Sequence, residues 1–342
     1  SRDFSSSHKE VIEMYSNEKN FNKMKHSFFE SMKIESIKCM EPTETCTETD
    51  LIASHSVQDS RILEELALDQ HVIQIGFDTS CVGKSTLSNR VEPTCKFDSV
   101  SIHKATTFIG LCNKHDTELF LPIDTEILSM ENEQHVFLLT YRAVMKELAA
   151  SKKAAVMNQS MFLSKVDLGE VSGDIPSIEG LMPVLFFERA YEFNEYKKMF
   201  DADYLSHTYS NIVSKHLIFD NPPTFAASSV FTPLELSTKE NEPERICINI
   251  FPYNGKMYVL FSCRREDERY MNLYIDEIMN ANEAYQKYLI SKLVLRNCEN
   301  IAISPSYFNS WSSDKKAEIL SYFKDTMKSD LSSYENLNLY LF

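Results

Sequence analysis

Cys112 and His115 stand three positions apart in the stretch KATTFIGLCNKHDTELFLPID, Lys104–Asp124. A strand-like run precedes them and an apolar segment follows. A thiol and an imidazole at this spacing make half of a metal site, because zinc favours a tetrahedral shell of sulfur and nitrogen ligands. The other half has a candidate upstream, in CMEPTETCTETDLIASHSVQ, which carries Cys39, Cys46 and His55. Cys39, Cys46, Cys112 and His115 together predict a Cys₃His site for structural Zn²⁺. Two pairs distant in sequence that close on one ion hold a small module together without a large core. The gap from Cys39 to Cys46 is longer than the two to four residues of an ordinary zinc knuckle. His55 is therefore either a separate functional group or a replacement for one of the four. The plainer alternative is a set of unrelated buried thiols with a surface histidine.

Composition limits the classes of protein that could carry such a site. The chain has 342 residues, 43% of them hydrophobic and 25% charged, which suits a packed globular core. The net charge is -15 and the acidity is spread over both halves. Nonspecific nucleic-acid binding relies on Lys and Arg neutralising phosphates, so the balance does not favour it, and any such contact needs a local patch. Eight cysteines and the lack of an apolar leader or a membrane-length apolar run predict a reduced, cytoplasmic protein with no membrane partner. Seven glycines argue against a glycine-rich nucleotide fold. Gly83-Lys84-Ser85-Thr86 resembles the end of a phosphate loop. However, Asp78 stands where that motif needs glycine, and no helix-like run follows to receive a phosphate. A polar loop in a hairpin is the preferred reading.

The elements that must position these residues predict an α+β fold: an N-terminal zinc-stabilised module, a helical middle and a C-terminal α+β part with an antiparallel sheet. Residues 1–36 read as a helical or mobile lead-in and 37–130 as the zinc module. Residues 131–184 read as a helical connector and 185–342 as an α+β recognition domain. Within the module, a helix from Val57 to Leu68, a strand at His71–Phe77 and a strand at Ser101–Ile109 are expected. Gly110 is expected to free a turn and Pro122 to end the segment. Gln134–Ala155 has the clearest helical spacing. The Gly/Pro-bearing Leu163–Pro183 reads as a hinge, and Leu185–His216 returns to helical spacing with an aromatic stripe that suits a core. Leu217–Phe219, Phe225–Phe231, Ile246–Phe251 and Lys256–Cys263 read as strands, with Asn254-Gly255 as a hairpin turn between the last two. Glu266–Val294 is helical, Ile301–Ser304 is a short strand, and Ser312–Lys328 is a final helix capped by Ser312 or Ser313.

The order Cys…Cys…Ser-His-Ser-x-Gln, a strand, then Ala-Thr-Thr-Phe-x-Gly-Leu-Cys-x-x-His-Asp-x-x-Leu-Phe-x-Pro-Ile-Asp resembles a group of largely uncharacterised bacterial proteins. Their N-terminal part is similar to HNH-type (ββα-metal, treble-clef) zinc modules. The resemblance extends through FLLTYRAVMKEL, FPYNGKMYVLFS and CENIAISPSYF, and so covers about residues 39–308. It implies a structural zinc on Cys39, Cys46, Cys112 and His115, with His55 as general base beside a catalytic Mg²⁺ or Mn²⁺. The chain departs from the pattern at Ser54, where a metal-binding Asp belongs, and in having Cys-x-x-His as its second pair. Asn113 and Asp116 are the nearby substitutes for the late metal ligand.

Two functions follow. The first is a metal-dependent nuclease acting on DNA or RNA, in which His55 takes a proton from water; the resemblance associates such chains with bacterial defence. The second is a non-catalytic, zinc-stabilised protein-interaction module, favoured by the acidic balance and the missing Asp. A shared fold does not choose between them.

Overall fold

The computed structural model describes residues 38–84, 91–173, 178–233, 244–326 and 338–342. The predicted lead-in at residues 1–36 lies outside them. The chain is mixed α+β with antiparallel sheets, and its contacts divide it into two compact units. The first comprises Ser1–Ile52, Ile109–Thr117 and Met145–Ser206. The second comprises Ala53–Phe108, Glu118–Val144 and His207–Phe342.

The second unit is built on a seven-stranded antiparallel sheet in the order β3-β2-β9-β6-β7-β8-β5. Its strands are β2 (His71–Lys84), β3 (Val91–Ser101), β5 (Ile212–Phe219), β6 (Phe225–Phe231), β7 (Ile246–Tyr253), β8 (Lys256–Arg264) and β9 (Ala302–Ile303). β2 and β3 form a long hairpin, with Gly83 opposite Glu92 and Lys84 opposite Val91. The phosphate-loop look-alike thus begins inside a strand, and the chain resumes as a strand at Val91.

Every residue of β6 and β7 is buried, so both faces of the sheet centre are covered. Alternation along the strands assigns the faces. Ile246, Ile248 and Ile250 of β7, with Met257, Val259, Phe261 and Cys263 of β8, enter one core. That core also takes in side chains of α5 (Glu268–Asn280), α6 (Glu283–Asn297) and α8 (Ser313–Thr326), the short α7 (Pro305–Asn309) lying between the last two in sequence. The opposite face meets the start of α3 (Glu133–Asp167). There Thr140 shares a 2.7 Å hydrogen bond with Ser262, and Asn249 Nδ2 lies 3.5 Å from the Leu139 carbonyl.

Several expectations on local structure need correction. The region Val57–Leu68 is a π turn at Asp59–Leu63 followed by the one-turn helix α1, Glu64–Leu66. α3 runs through Asp167, beyond the expected Ala155. The added run carries Met157, Gln159, Met161, Leu163 and Lys165, which are good helix formers. It stops where Gly169 adopts φ 71° and the Glu170 amide reaches back to the Lys165 carbonyl at 2.9 Å, a glycine-terminated helix end. Pro122 lies inside α2 (Asn113–Thr125) rather than after it. Proline removes one helical donor, but Leu119, Phe120 and Ile123 around it are buried and hold the helix in place. Gly110 belongs to β4 (Thr107–Cys112), which pairs with β1 (Leu51–His55) in a separate two-stranded sheet. The helix expected to reach His216 is α4, Ile178–Leu205, and β5 begins at Ile212.

In the first unit, the later part of α3 and α4 are buried along one side. Lys197 and Asp201 form an i,i+4 ion pair with contacts of 2.7 and 2.8 Å, and Tyr196 packs edge-on against Phe200 with centroids 5.3 Å apart.

Candidate metal centre

Cys112 is the last residue of β4, and His115 lies in the first turn of α2. A strand that runs directly into a helix turns the Cys-x-x-His pair inward on one side. Cys39 reaches the same place from the preceding loop, which is tied to β4 by the Met40 amide donating to the Gly110 carbonyl at 2.8 Å. The ligand atoms of Cys39, Cys46, Cys112 and His115 all lie within 4.8 Å of one another. His115 Nδ1 is 3.2 Å from Cys112 Sγ and 3.5 Å from Cys39 Sγ. Zinc bonds of about 2.3 Å to sulfur and about 2.0 Å to nitrogen give tetrahedral edges of about 3.5–3.8 Å, so the set fits one ion. The cluster can bind a metal ion, and its donor types suit zinc. All four residues belong to the first unit.

The electrostatics agree with a site made for a cation. Burial pushes the Cys39 thiol up to about 12 despite amide hydrogen bonds from Cys112 and Glu41, and the Cys112 thiol beside it adds to the rise. Two thiols this close resist becoming thiolates unless a positive charge joins them, which a divalent ion supplies. The Cys112 amide points at Cys39 Sγ at 3.3 Å, the polarity that supports a sulfur anion. Cys112 also abuts the N-terminus of α2, whose dipole favours negative charge.

Glu41 explains how the long Cys39–Cys46 gap closes. Its side chain is buried and accepts hydrogen bonds from the amides of Thr43 at 2.6 Å, Thr45 at 2.5 Å and Cys46 at 3.0 Å, and from the Thr43 hydroxyl at 2.8 Å. Glu44, with φ 56°, completes the turn through its amide to the Glu41 carbonyl at 3.2 Å. Burial alone would raise the Glu41 pKa, but the hydrogen bonds from Thr43, Cys46 and Thr45 pull it down to about 2. The carboxylate is thus the hub around which residues 41–46 wrap to present Cys46. Sequence spacing gave no sign of this role. The one available clue is the acid two residues after Cys39, in a Thr-rich run between two cysteines.

His55 is not a member of the cluster. It ends β1, and its Nε2 lies 3.1 Å from the Ile102 carbonyl. The residues flanking it have structural work. The Ser56 amide and hydroxyl both donate to the Thr106 carbonyl, at 3.0 and 2.9 Å, and Asn300 Nδ2 donates to Ser56 Oγ at 2.8 Å. Thr106, with φ 58°, returns a hydrogen bond to the Val57 carbonyl at 3.2 Å, and Gln58 donates to the Asp124 carbonyl at 3.2 Å. Ser54 is fully buried and its hydroxyl has no hydrogen-bond partner among the described residues. Asp116 lies in the first turn of α2, where the helix dipole favours it, and makes no hydrogen bond to His115 among the described residues. Cys95, Cys247, Cys263 and Cys298 lie elsewhere and form no disulfide among the described residues, and the Cys81 side chain lies outside those residues. Comparison of the chain with protein families, with curated proteins and with solved structures finds no match.

Proposed function

We propose that the protein is a non-catalytic, zinc-stabilised interaction module, with a structural Zn²⁺ on Cys39, Cys46, Cys112 and His115. The observation that carries this reading is the closed ligand set. Four protein donors meet around one point, and structural zinc sites use all four positions whereas catalytic ones leave one to water or substrate. Among the described residues this is the one grouping of three or more His, Cys, Asp and Glu side chains, and His55 lies outside it. Ser56 and Gln58, which follow His55, are committed to Thr106, Asn300 and Asp124. The charge of -15 further favours a protein partner over a phosphate backbone.

Elemental analysis of the purified full chain tests the metal, with about one zinc per chain expected for a single four-ligand site. The catalytic alternative is tested by incubating the protein with plasmid DNA or RNA in Mg²⁺ or Mn²⁺. No cleavage is expected, and His55→Ala should retain its zinc. Cleavage that disappears in His55→Ala would replace this reading with the nuclease one, and a metal-free protein would remove the structural zinc.

A further inference from the structure

The second unit contains a partly enclosed cavity that shares no residue with the thiol cluster. It is lined by Ser56, Gln58, Arg61, Arg142, Asn249 and Tyr253, with apolar walls from α2, α3 and β7. Its room for a water-sized sphere is about 20 Å³, a little more than the roughly 10–15 Å³ that one water needs.

The polar wall is dominated by donors. Arg142 is only 5% exposed; its Nη2 holds Asp124 Oδ2 at 2.8 Å and its guanidinium lies 4.1 Å from the Phe120 ring centroid. Its Nε has no hydrogen-bond partner among the described residues. The hydrogen bonds of Arg61 all go to neutral oxygens: the Asp124 carbonyl at 3.3 Å, the Glu126 carbonyl at 2.7 Å and Tyr253 Oη at 3.3 Å. Tyr253 Oη also accepts the Leu128 amide at 3.0 Å. Having accepted twice, its own proton is left to donate, and no acceptor for it is present among the described residues. Arg142 is thus paired with the Asp124 carboxylate, which does not line the cavity, while Arg61 meets no carboxylate among the described residues. Arg61 is half-buried, but Arg142 is buried with a guanidinium N–H unspent, an arrangement that an anion would offset.

We propose that this cavity binds one small monovalent inorganic anion of halide size, chloride being the available example. Arg61 and Arg142 supply the charge, and Tyr253 donates its hydroxyl proton. The small free space favours a halide over sulfate, phosphate or a carboxylate ligand, which bring several heavy atoms.

The test compares thermal unfolding of the full chain in sodium chloride and in sodium gluconate at equal ionic strength, since gluconate is too large to enter. Chloride should raise Tm in a saturable way, and the gain should be lost in Arg61→Gln. Tyr253→Phe changes the fold less and should weaken the apparent chloride affinity about tenfold, the effect of losing one hydrogen bond to a charged group. Crystals grown in bromide should show anomalous density in the cavity. Equal Tm in both salts, a chloride effect that survives in both variants, or density for water without bromide would each overturn the proposal.

Discussion

The Cys112 amide donates to Cys39 Sγ at 3.3 Å across 73 positions of sequence. The contact fixes the first cysteine of the upstream loop against the end of β4, one residue before the helix that carries His115. Half of the metal shell is thus set by backbone geometry before any ion arrives. Co²⁺ added to the metal-stripped chain should give the intense visible bands of a tetrahedral thiolate-rich site. Cys39→Ser should weaken those bands, and removal of metal should lower the stability of the first unit, because site and fold form together. A six-coordinate cobalt spectrum would contradict the tetrahedral set.

The Glu41 carboxylate accepts no hydrogen bond from a metal-ligand side chain, yet it holds the amides of Thr43, Thr45 and Cys46. Glu41→Gln keeps the shape but replaces one acceptor oxygen with a donor that faces backbone amides. The expected result is a metal affinity lower by roughly 10–100-fold, typical of lost outer-shell support. Competition with a chromophoric chelator measures it. An unchanged affinity would mean that the loop closes without its carboxylate hub.

The thiols and imidazole were legible in the sequence because metal binding demands particular residue types, and Cys-x-x-His survives as a local pattern. The strands β6 to β8 were legible for a similar reason, through β-branched and aromatic runs separated by turn residues, whereas of β5 only Leu217–Phe219 was read as strand. Glu41 was not, since its partners are backbone amides and any sequence has those. The cavity was not either: Arg61, Arg142 and Tyr253 come from three distant segments. Sheet order was also hidden. The two-residue β9 sits between β2 and β6, joining strands that local pattern cannot connect. Pro122 and Gly110 were misread because burial of their neighbours outweighs their usual roles as breakers.

Asn254 and Gly255 turn the β7–β8 hairpin with φ of 52° and 72°. Their amides also donate to the Glu65 carboxylate, at 3.1 and 3.3 Å. A β-carbon at Gly255 meets no neighbouring atom, so the cost of Gly255→Ala is purely conformational. It should destabilise the chain by about 1–2 kcal/mol, the penalty of left-handed backbone for an L-residue. Urea unfolding of wild type and variant checks this, and equal midpoints would count against a rigid turn.

Lys315 gives a stability that depends on alkaline pH. It lies early in α8, with its amide capped by Ser312 Oγ at 3.1 Å. Its Nζ sits 4.4 Å from the Trp311 ring centroid and 5.1 Å from that of Tyr307, and donates to Tyr307 Oη at 3.3 Å. Burial lowers its pKa from the ordinary 10.5 to about 8. The unfolded chain therefore holds a proton that the folded chain has released between about pH 8 and pH 10.5. In that window stability rises with pH, because the unfolded state binds more protons. Below pH 8 both states are charged and the full cost of burying the ammonium remains. Lys315→Met has no such proton. Its stability relative to wild type should be greatest at pH 7 and should fall by on the order of 2 kcal/mol by pH 10.5, at about 1.4 kcal/mol per pKa unit. Other lysines and tyrosines titrate in the same range in both proteins, so the difference between them isolates Lys315. Urea unfolding at pH 7, 9 and 10.5 measures it, and a difference that stays constant across those values would show that burial does not lower the Lys315 pKa.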